Sequence, residues 1–284
     1  RQSLPKDEEG QIITTGPSFR APLMAYRVGE PHMPVGVYRE AYDDYVDRHP
    51  GLVVSAETGS GKSSNLGLYS LERGAPRVFV TQTRVLASRE LDSRAQVNLG
   101  PYKDLAGYLT GMAVDSRCGP DARLIYVTDQ LLFKMANRGA LRPDDTFIVD
   151  EAHEQAPGSV FALGLLQELQ QDFPDQRIII SSATINTEKF SNYLKDPCTG
   201  EPAPILILPG RTFPVKREET TEEVAHMMRE NMKWGKNVLA FEPGVTRMRA
   251  TWSMVQSRRS DDVVHMLYDD QPPSAQKAAG NPAD

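Results

Sequence analysis

The sequence is poor in several things, and each shortage excludes something. Two cysteines, Cys118 and Cys198, stand among 284 residues. They form no metal or redox spacing, which excludes a disulfide scaffold or a zinc module and fits a reducing compartment. No apolar run approaches the roughly 20 residues that span a bilayer, and no charged-then-apolar leader opens the chain. A membrane partner is therefore not expected, and the default location is cytoplasmic. Positive charge is not in excess either: Lys and Arg number 32 against 38 Asp and Glu, a net charge of −6. This argues against a strongly basic nucleic-acid binder, while net charge says nothing of local grooves. Neither an aromatic stacking platform nor a basic stripe is visible. What remains, 39% hydrophobic and 25% charged, is the composition of an ordinary globular protein long enough for one large or two ordinary domains.

Against that plain background one stretch stands out, LVVSAETGSGKSS from Leu52 to Ser64. A short apolar run ends in a glycine-broken loop, and the loop ends in Gly61-Lys62-Ser63 where a helix can start. This is a phosphate-binding loop, G-x-x-x-x-G-K-[ST], with Ala56 in place of the first glycine. A methyl is tolerable there if the backbone keeps a negative φ. The nucleotide would be held by Glu57, Thr58, Gly59, Ser60, Gly61, Lys62, Ser63 and Ser64, whose backbone N–H groups and helix N-terminus attract phosphate. Lys62 would reach the β and γ phosphates, and the Ser63 hydroxyl would hold Mg²⁺. Replacing Lys62 by alanine is expected to abolish nucleotide binding with little loss of fold, because the loop backbone should not depend on the ammonium.

An acidic pair completes the chemistry. Thr146-Phe147-Ile148-Val149-Asp150-Glu151 is an apolar run ending in two carboxylates. Asp150, through a water, and Glu151 would face the metal with Ser63, and Glu151 would orient and deprotonate the attacking water. Taken alone, the two acids could equally cap the following helix.

The remaining chain alternates strand and helix signals, as in a doubly wound α/β sheet with ligands at the strands' carboxyl ends. Residues 1–34 read as a proline-spotted arm, and 35–48 as one helix with Tyr38, Ala41, Tyr42 and Tyr45 on a single face. Strands are predicted at 52–55, 77–81, 124–128, 146–150, 177–181 and 204–208. Helices are predicted at 62–71, 84–97, 129–136, 158–170 and 187–194. After residue 213 the composition resets. Strands at 215–217, 237–241 and 263–267 and helices at 221–233 and 245–257 suggest the opening half of a second α/β domain. The expected division is an arm at 1–34, a first domain at 35–213 and a partial second domain at 214–284.

With Asp150-Glu151-Ala152-His153 the sequence resembles the DEAH-box helicases, a branch of helicase superfamily two. The other motifs come in the family's order: Thr81-Gln82-Thr83-Arg84, Val127-Thr128-Asp129-Gln130, Ser182-Ala183-Thr184-Ile185-Asn186, a link from Pro209 to Val215, and Val238 to Gly244. The resemblance implies two RecA-like domains of the phosphate-loop NTPase type, the second truncated here. It also implies ATP or another NTP with Mg²⁺ as cofactor, and a monomer moving 3′ to 5′ on single-stranded nucleic acid, RNA by family habit. Glu151, Asp150 and Lys62 become catalytic by this resemblance, with His153, Ser182 and Thr184 coupling hydrolysis to movement. Thr81, Gln82, Arg84, Thr128 and Asp129 become the nucleic-acid contacts.

Departures from the family pattern are Thr83 for a proline, Val85 for a second arginine, Gln130 for a glycine and Gln155 for an arginine. Arg89 and Arg94 read as solvated salt-bridge partners. The family's later arginine-finger motif has no counterpart in these residues, so this stretch alone is expected to bind nucleotide and turn it over poorly. Two rival readings are a nucleotide-driven remodeller that does not unwind duplexes and a non-hydrolysing nucleic-acid scaffold; intact Lys62, Ser63, Asp150 and Glu151 oppose the second.

Overall fold

The computed structural model describes residues 33–111, 116–183, 187–209, 219, 222–232, 238–256, 264–268, 271, 274–275 and 279. It divides into two compact units, Arg1–Phe213 and Pro214–Asp284.

The first unit is built on β1 (Gly51–Ala56), β2 (Arg77–Gln82), β3 (Ala106–Leu109), β4 (Leu124–Thr128), β5 (Asp145–Val149), β6 (Arg177–Ser182) and β7 (Ile205–Leu208). These form one sheet in the order β3-β4-β2-β5-β6-β1-β7, and every adjacent pair is parallel. Parallel strands need crossovers, so helices cover both faces and the strands become apolar throughout. The alternation is strict. Leu52, Val54, Val78, Val80, Ile148 and Ile179 point into one core. Val53, Phe79, Phe147, Val149, Ile178 and Ile180 point into the other. Phe79 and Phe147, paired in register, stack with centroids 5.6 Å apart.

The first core is closed by α1 (Pro34–Val37), α2 (Arg39–Arg48), α3 (Lys62–Glu72) and α4 (Val85–Leu99), the second by α5 (Asp129–Asn137), α6 (Pro157–Asp172) and α7 (Thr187–Tyr193). The single helix expected over 35–48 is broken at Tyr38 (φ −102°, ψ 17°). Ahead of the break, the Val35 N–H donates to Ser60 O at 3.0 Å, tying α1 to the phosphate loop. The expected tyrosine face is present, with Tyr42 fully buried and Tyr38, Ala41 and Tyr45 packed beside it. The strand β3, AGYL, carries too few β-branched residues to announce itself in sequence.

In the second unit, α8 (Val224–Met232) and α9 (Val245–Gln256) pack together, and Arg229 Nη1 donates to Met254 O at 3.1 Å. The strands expected at 237–241 and 263–267 are not formed: residues 238–241 and 264–267 have no strand pairing. A strand exists only where a neighbour completes its hydrogen-bond ladder, and Leu239 and Phe241 instead lie 78% and 85% exposed. The strand expected at 215–217, most of the arm and most of the link from Pro209 to Val215 fall outside the described residues.

Candidate active site

Because all seven strands run the same way, every loop that follows a strand leaves one edge of the sheet, and the chemistry gathers there. The phosphate loop joins β1 to α3. Ala56 ends β1, pairs with Leu208 and keeps a negative φ, as the sequence required. Gly59 and Gly61 have φ of +83° and +88°, the left-handed region that glycine enters without penalty. Gly61 caps α3, and its carbonyl receives the Asn65 N–H at 3.0 Å.

Lys62 is only 3% exposed. Its ammonium donates to Ala56 O at 2.9 Å and to Glu57 O at 3.3 Å. These two bonds are partners that the sequence expectation did not give the ammonium: Lys62 joins the loop to the strand from which it springs. Ser63 lines an open cleft of about 440 Å³ together with Gln82, Ala87, Glu90, Leu91 and Arg94. Arg94, expected as a solvated salt-bridge partner, also donates to Ser64 Oγ at 3.4 Å. Its place in the cleft was illegible in sequence, because it depends on how α4 lies across β2.

Asp150 follows β5 directly. Gln82 Nε2 donates to its Oδ2 at 3.0 Å, whereas Oδ1 is buried with no hydrogen-bond partner. A buried carboxylate oxygen left this way suits a metal-bound water. Glu151 takes a left-handed backbone conformation (φ 48°, ψ 35°), which costs a non-glycine residue about 1–2 kcal/mol. Burial and the neighbouring Asp150 push its carboxyl above the ordinary range, while Lys62 and His153 oppose the rise. His153 Nδ1 accepts the Ala183 N–H at 3.3 Å and lies 3.3 Å from Glu151 Oε2. It therefore bridges the ends of β5 and β6. Ser182 is buried in β6 beside Ser55, and Thr184 falls outside the described residues.

The five residues expected on the nucleic-acid face separate. Arg84 is exposed and Thr128 half-buried. The side chains of Thr81, Gln82 and Asp129 are buried, with residue exposures of 0%, 6% and 4%. Their polar atoms are engaged inside the unit: Thr81 Oγ1 accepts the Asp150 N–H at 3.3 Å, Gln82 Nε2 holds Asp150 Oδ2, and Ser159 Oγ, from the first turn of α6, donates to Asp129 Oδ2 at 2.6 Å. Polar residues at a strand's end look solvated in sequence, but crossover helices cover these. Sequence reasoning gave Ser159 no part at all.

The geometry agrees with what the chain is similar to. A model of the DEAD/DEAH box helicase family matches residues 38–192. The chain is 32% identical over 232 residues to the ATP-dependent RNA helicase DHX29 of Mus musculus, covering 75% of this chain and 16% of that protein. To the probable ATP-dependent RNA helicase DHR2 of Saccharomyces cerevisiae it is 34% identical over 193 residues, covering 65% of this chain and 25% of that protein. The crystal structure of the DEAH/RHA helicase HrpB of Escherichia coli superposes with a TM-score of 0.72 at 28% identity, over 87% of this chain and 32% of that one. The chain thus spans a quarter or less of the length of these curated relatives.

Proposed function

Since more than half of its residues match that one family, the chain belongs to the DEAD/DEAH box helicases, and from this we propose that it is the nucleotide-carrying part of an NTP-hydrolysing RNA helicase. The observation that carries the reading is the gathering, at the carboxyl edge of the sheet, of a phosphate loop closed by Lys62 and of Asp150, Glu151 and His153 at the end of β5. ATP or another NTP would lie along the phosphate loop, with Ser63 and, through water, Asp150 holding Mg²⁺. The metal, when bound, neutralises charge on the phosphates. Among the described residues no three His, Cys, Asp or Glu side chains gather into a metal site, so phosphate and water oxygens would supply the remaining ligands.

Lys62 would exchange its two carbonyl partners for phosphate oxygens as nucleotide enters. Glu151 would take the proton of the attacking water on its carboxylate, and its raised pKa makes it a stronger base than an exposed glutamate. His153 would pass the state of this base to the segment beginning at Ser182 and Ala183, with Thr184 sharing the task by resemblance. Arg84 and Thr128 would meet the RNA backbone, a sequence-independent contact. Residues 35–213 and 214–284 would serve as first and partial second RecA-like domains, and movement would run 3′ to 5′.

The test is Glu151→Gln in the full-length protein. Mg–ATP binding is expected to persist while hydrolysis falls by about 10²–10⁴-fold; undiminished turnover would show that another group is the base. Strand displacement from duplexes with a 3′ or a 5′ overhang tests polarity, and displacement favouring the 5′ overhang refutes it.

A further inference from the structure

Gln82, the last residue of β2, is set by the sheet against the acid that follows β5. The two strands pair in register from Arg77 with Asp145 to Val80 with Ile148. Side chains return to the same face every second residue, so two residues further on this register brings Gln82 opposite Asp150. Gln82 Nε2 donates to Asp150 Oδ2 there, at 3.0 Å. An ionised carboxylate only accepts hydrogen bonds, so the amide nitrogen of Gln82, not its oxygen, is the atom that must face it. From the same strand end, Thr81 Oγ1 accepts the Asp150 N–H at 3.3 Å. One contact fixes the main chain of Asp150 and the other its carboxylate.

The contact to the carboxylate matters because the terminal torsion of an aspartate is broad and two-fold. Unheld, the group would turn about its last bond and exchange its two oxygens. With Oδ2 engaged by Gln82, the roles are divided: Oδ1, buried and without a hydrogen-bond partner, is the oxygen left for a metal-bound water. Asp150 is 1% and Gln82 6% exposed, so bulk water competes little for either group. Gln82 also borders the cleft that Ser63 lines. One side chain therefore touches both the Ser63 cleft and the Asp150 carboxylate.

The sequence resemblance put Gln82 among the nucleic-acid contacts, but its burial and its bond to Asp150 point elsewhere. We infer that Gln82 is a positioning residue for the Mg²⁺ site: it holds Asp150 Oδ2 so that Oδ1 meets the metal's water, and leaves the RNA contact at this strand end to Arg84, two residues on and exposed. The inference rests on the helicase reading above.

The experiment compares wild type, Gln82→Met, Gln82→Asn and Arg84→Ala in the full-length protein. Titration calorimetry measures affinity for a non-hydrolysable ATP analogue in EDTA and over a series of Mg²⁺ concentrations. Fluorescence anisotropy measures affinity for a single-stranded RNA. Methionine keeps the length of glutamine and removes the donor, whereas asparagine keeps the donor and draws it back by one methylene. Gln82→Met should raise the Mg²⁺ concentration needed for half of the metal's effect on nucleotide binding by about tenfold, the scale of losing a partner that orients a metal's ligand. Its metal-free nucleotide affinity and its RNA affinity should stay within twofold of wild type, and the metal-free value also shows that the variant folds. Gln82→Asn should fall between wild type and Gln82→Met. Arg84→Ala should show the reverse pattern, with weaker RNA binding and an unchanged Mg²⁺ requirement. An unchanged Mg²⁺ requirement in Gln82→Met overturns the inference; if that variant does not fold, an unchanged requirement in Gln82→Asn does so. Loss of RNA affinity in Gln82→Met, or no loss in Arg84→Ala, overturns the division of roles between the two residues. A wild type that binds the analogue equally with and without Mg²⁺ refutes the helicase reading itself, and the inference falls with it.

Discussion

Replacing Lys62 by methionine keeps the side chain's length and removes its charge. In the structure that charge makes two hydrogen bonds, to Ala56 O at 2.9 Å and Glu57 O at 3.3 Å, in a residue only 3% exposed. Charge-assisted bonds of this kind contribute about 1.5–3 kcal/mol each. Relief from keeping an ammonium out of water offsets part of the loss. A net destabilisation of about 1–2 kcal/mol follows, and for a unit of this size it lowers the melting temperature by about 2–8 °C. The same change removes the cation that would meet the phosphates, so Mg–ATP affinity should fall by about 100-fold or more, the equivalent of about 3 kcal/mol. Differential scanning calorimetry without nucleotide and titration calorimetry with a non-hydrolysable ATP analogue read the two effects separately. An unchanged melting temperature would mean that the ammonium does not brace the loop. An unchanged affinity would mean that the nucleotide lies elsewhere.

Two further outcomes follow from the same edge. Gly61→Ala places a Cβ at φ +88°, 3.0 Å from both Met33 Cβ and Asn65 Nδ2, and should cost about 1–3 kcal/mol in urea unfolding; no loss would mean that the loop relaxes freely. Glu151 has its carboxyl raised above the ordinary value of 4.5 by burial and by Asp150. The folded protein thus holds that proton to higher pH than the unfolded chain does, and stability falls as pH rises through this interval. Glu151→Gln should therefore raise the melting temperature at neutral pH, with the gain fading below about pH 4; an equal gain at every pH would exclude the charge as its cause.

Much of this edge could be read from the residues. The strands of the first unit are short apolar runs, and a parallel sheet buried on both faces demands such runs, so β1, β2, β4, β5 and β6 appeared close to their expected bounds. The phosphate loop was legible because glycine is required where Gly59 and Gly61 turn left-handed. What stayed hidden depends on tertiary cover. Thr81 and Asp129 look like surface groups until α5 and α6 close over them, and Ser159 has no local pattern that separates it from a helix-start serine. The left-handed backbone of Glu151 is imposed by its place between β5 and the turn at Ala152–Glu154; nothing in a glutamate announces it. The strands expected at 237–241 and 263–267 failed for the opposite reason: their apolar patterns are strand-like, but pattern without a pairing neighbour makes no ladder.

A sheet whose strands all run one way has a working rim and a quiet one. The turns that enter the strands lie on the quiet rim, among them the exposed residues Pro143 and Asp144 ahead of β5 and Pro174 and Asp175 ahead of β6. Cys198 belongs to that side as well, in the turn that Asp196 ties ahead of β7, whereas Cys118 lies against the flank of the edge strand β3 beside Gly107. The first unit thus carries, in Cys198, a native attachment point for a spectroscopic probe or a surface tether at the end of the sheet remote from Lys62, Asp150 and Glu151, and its chemistry can be watched from behind.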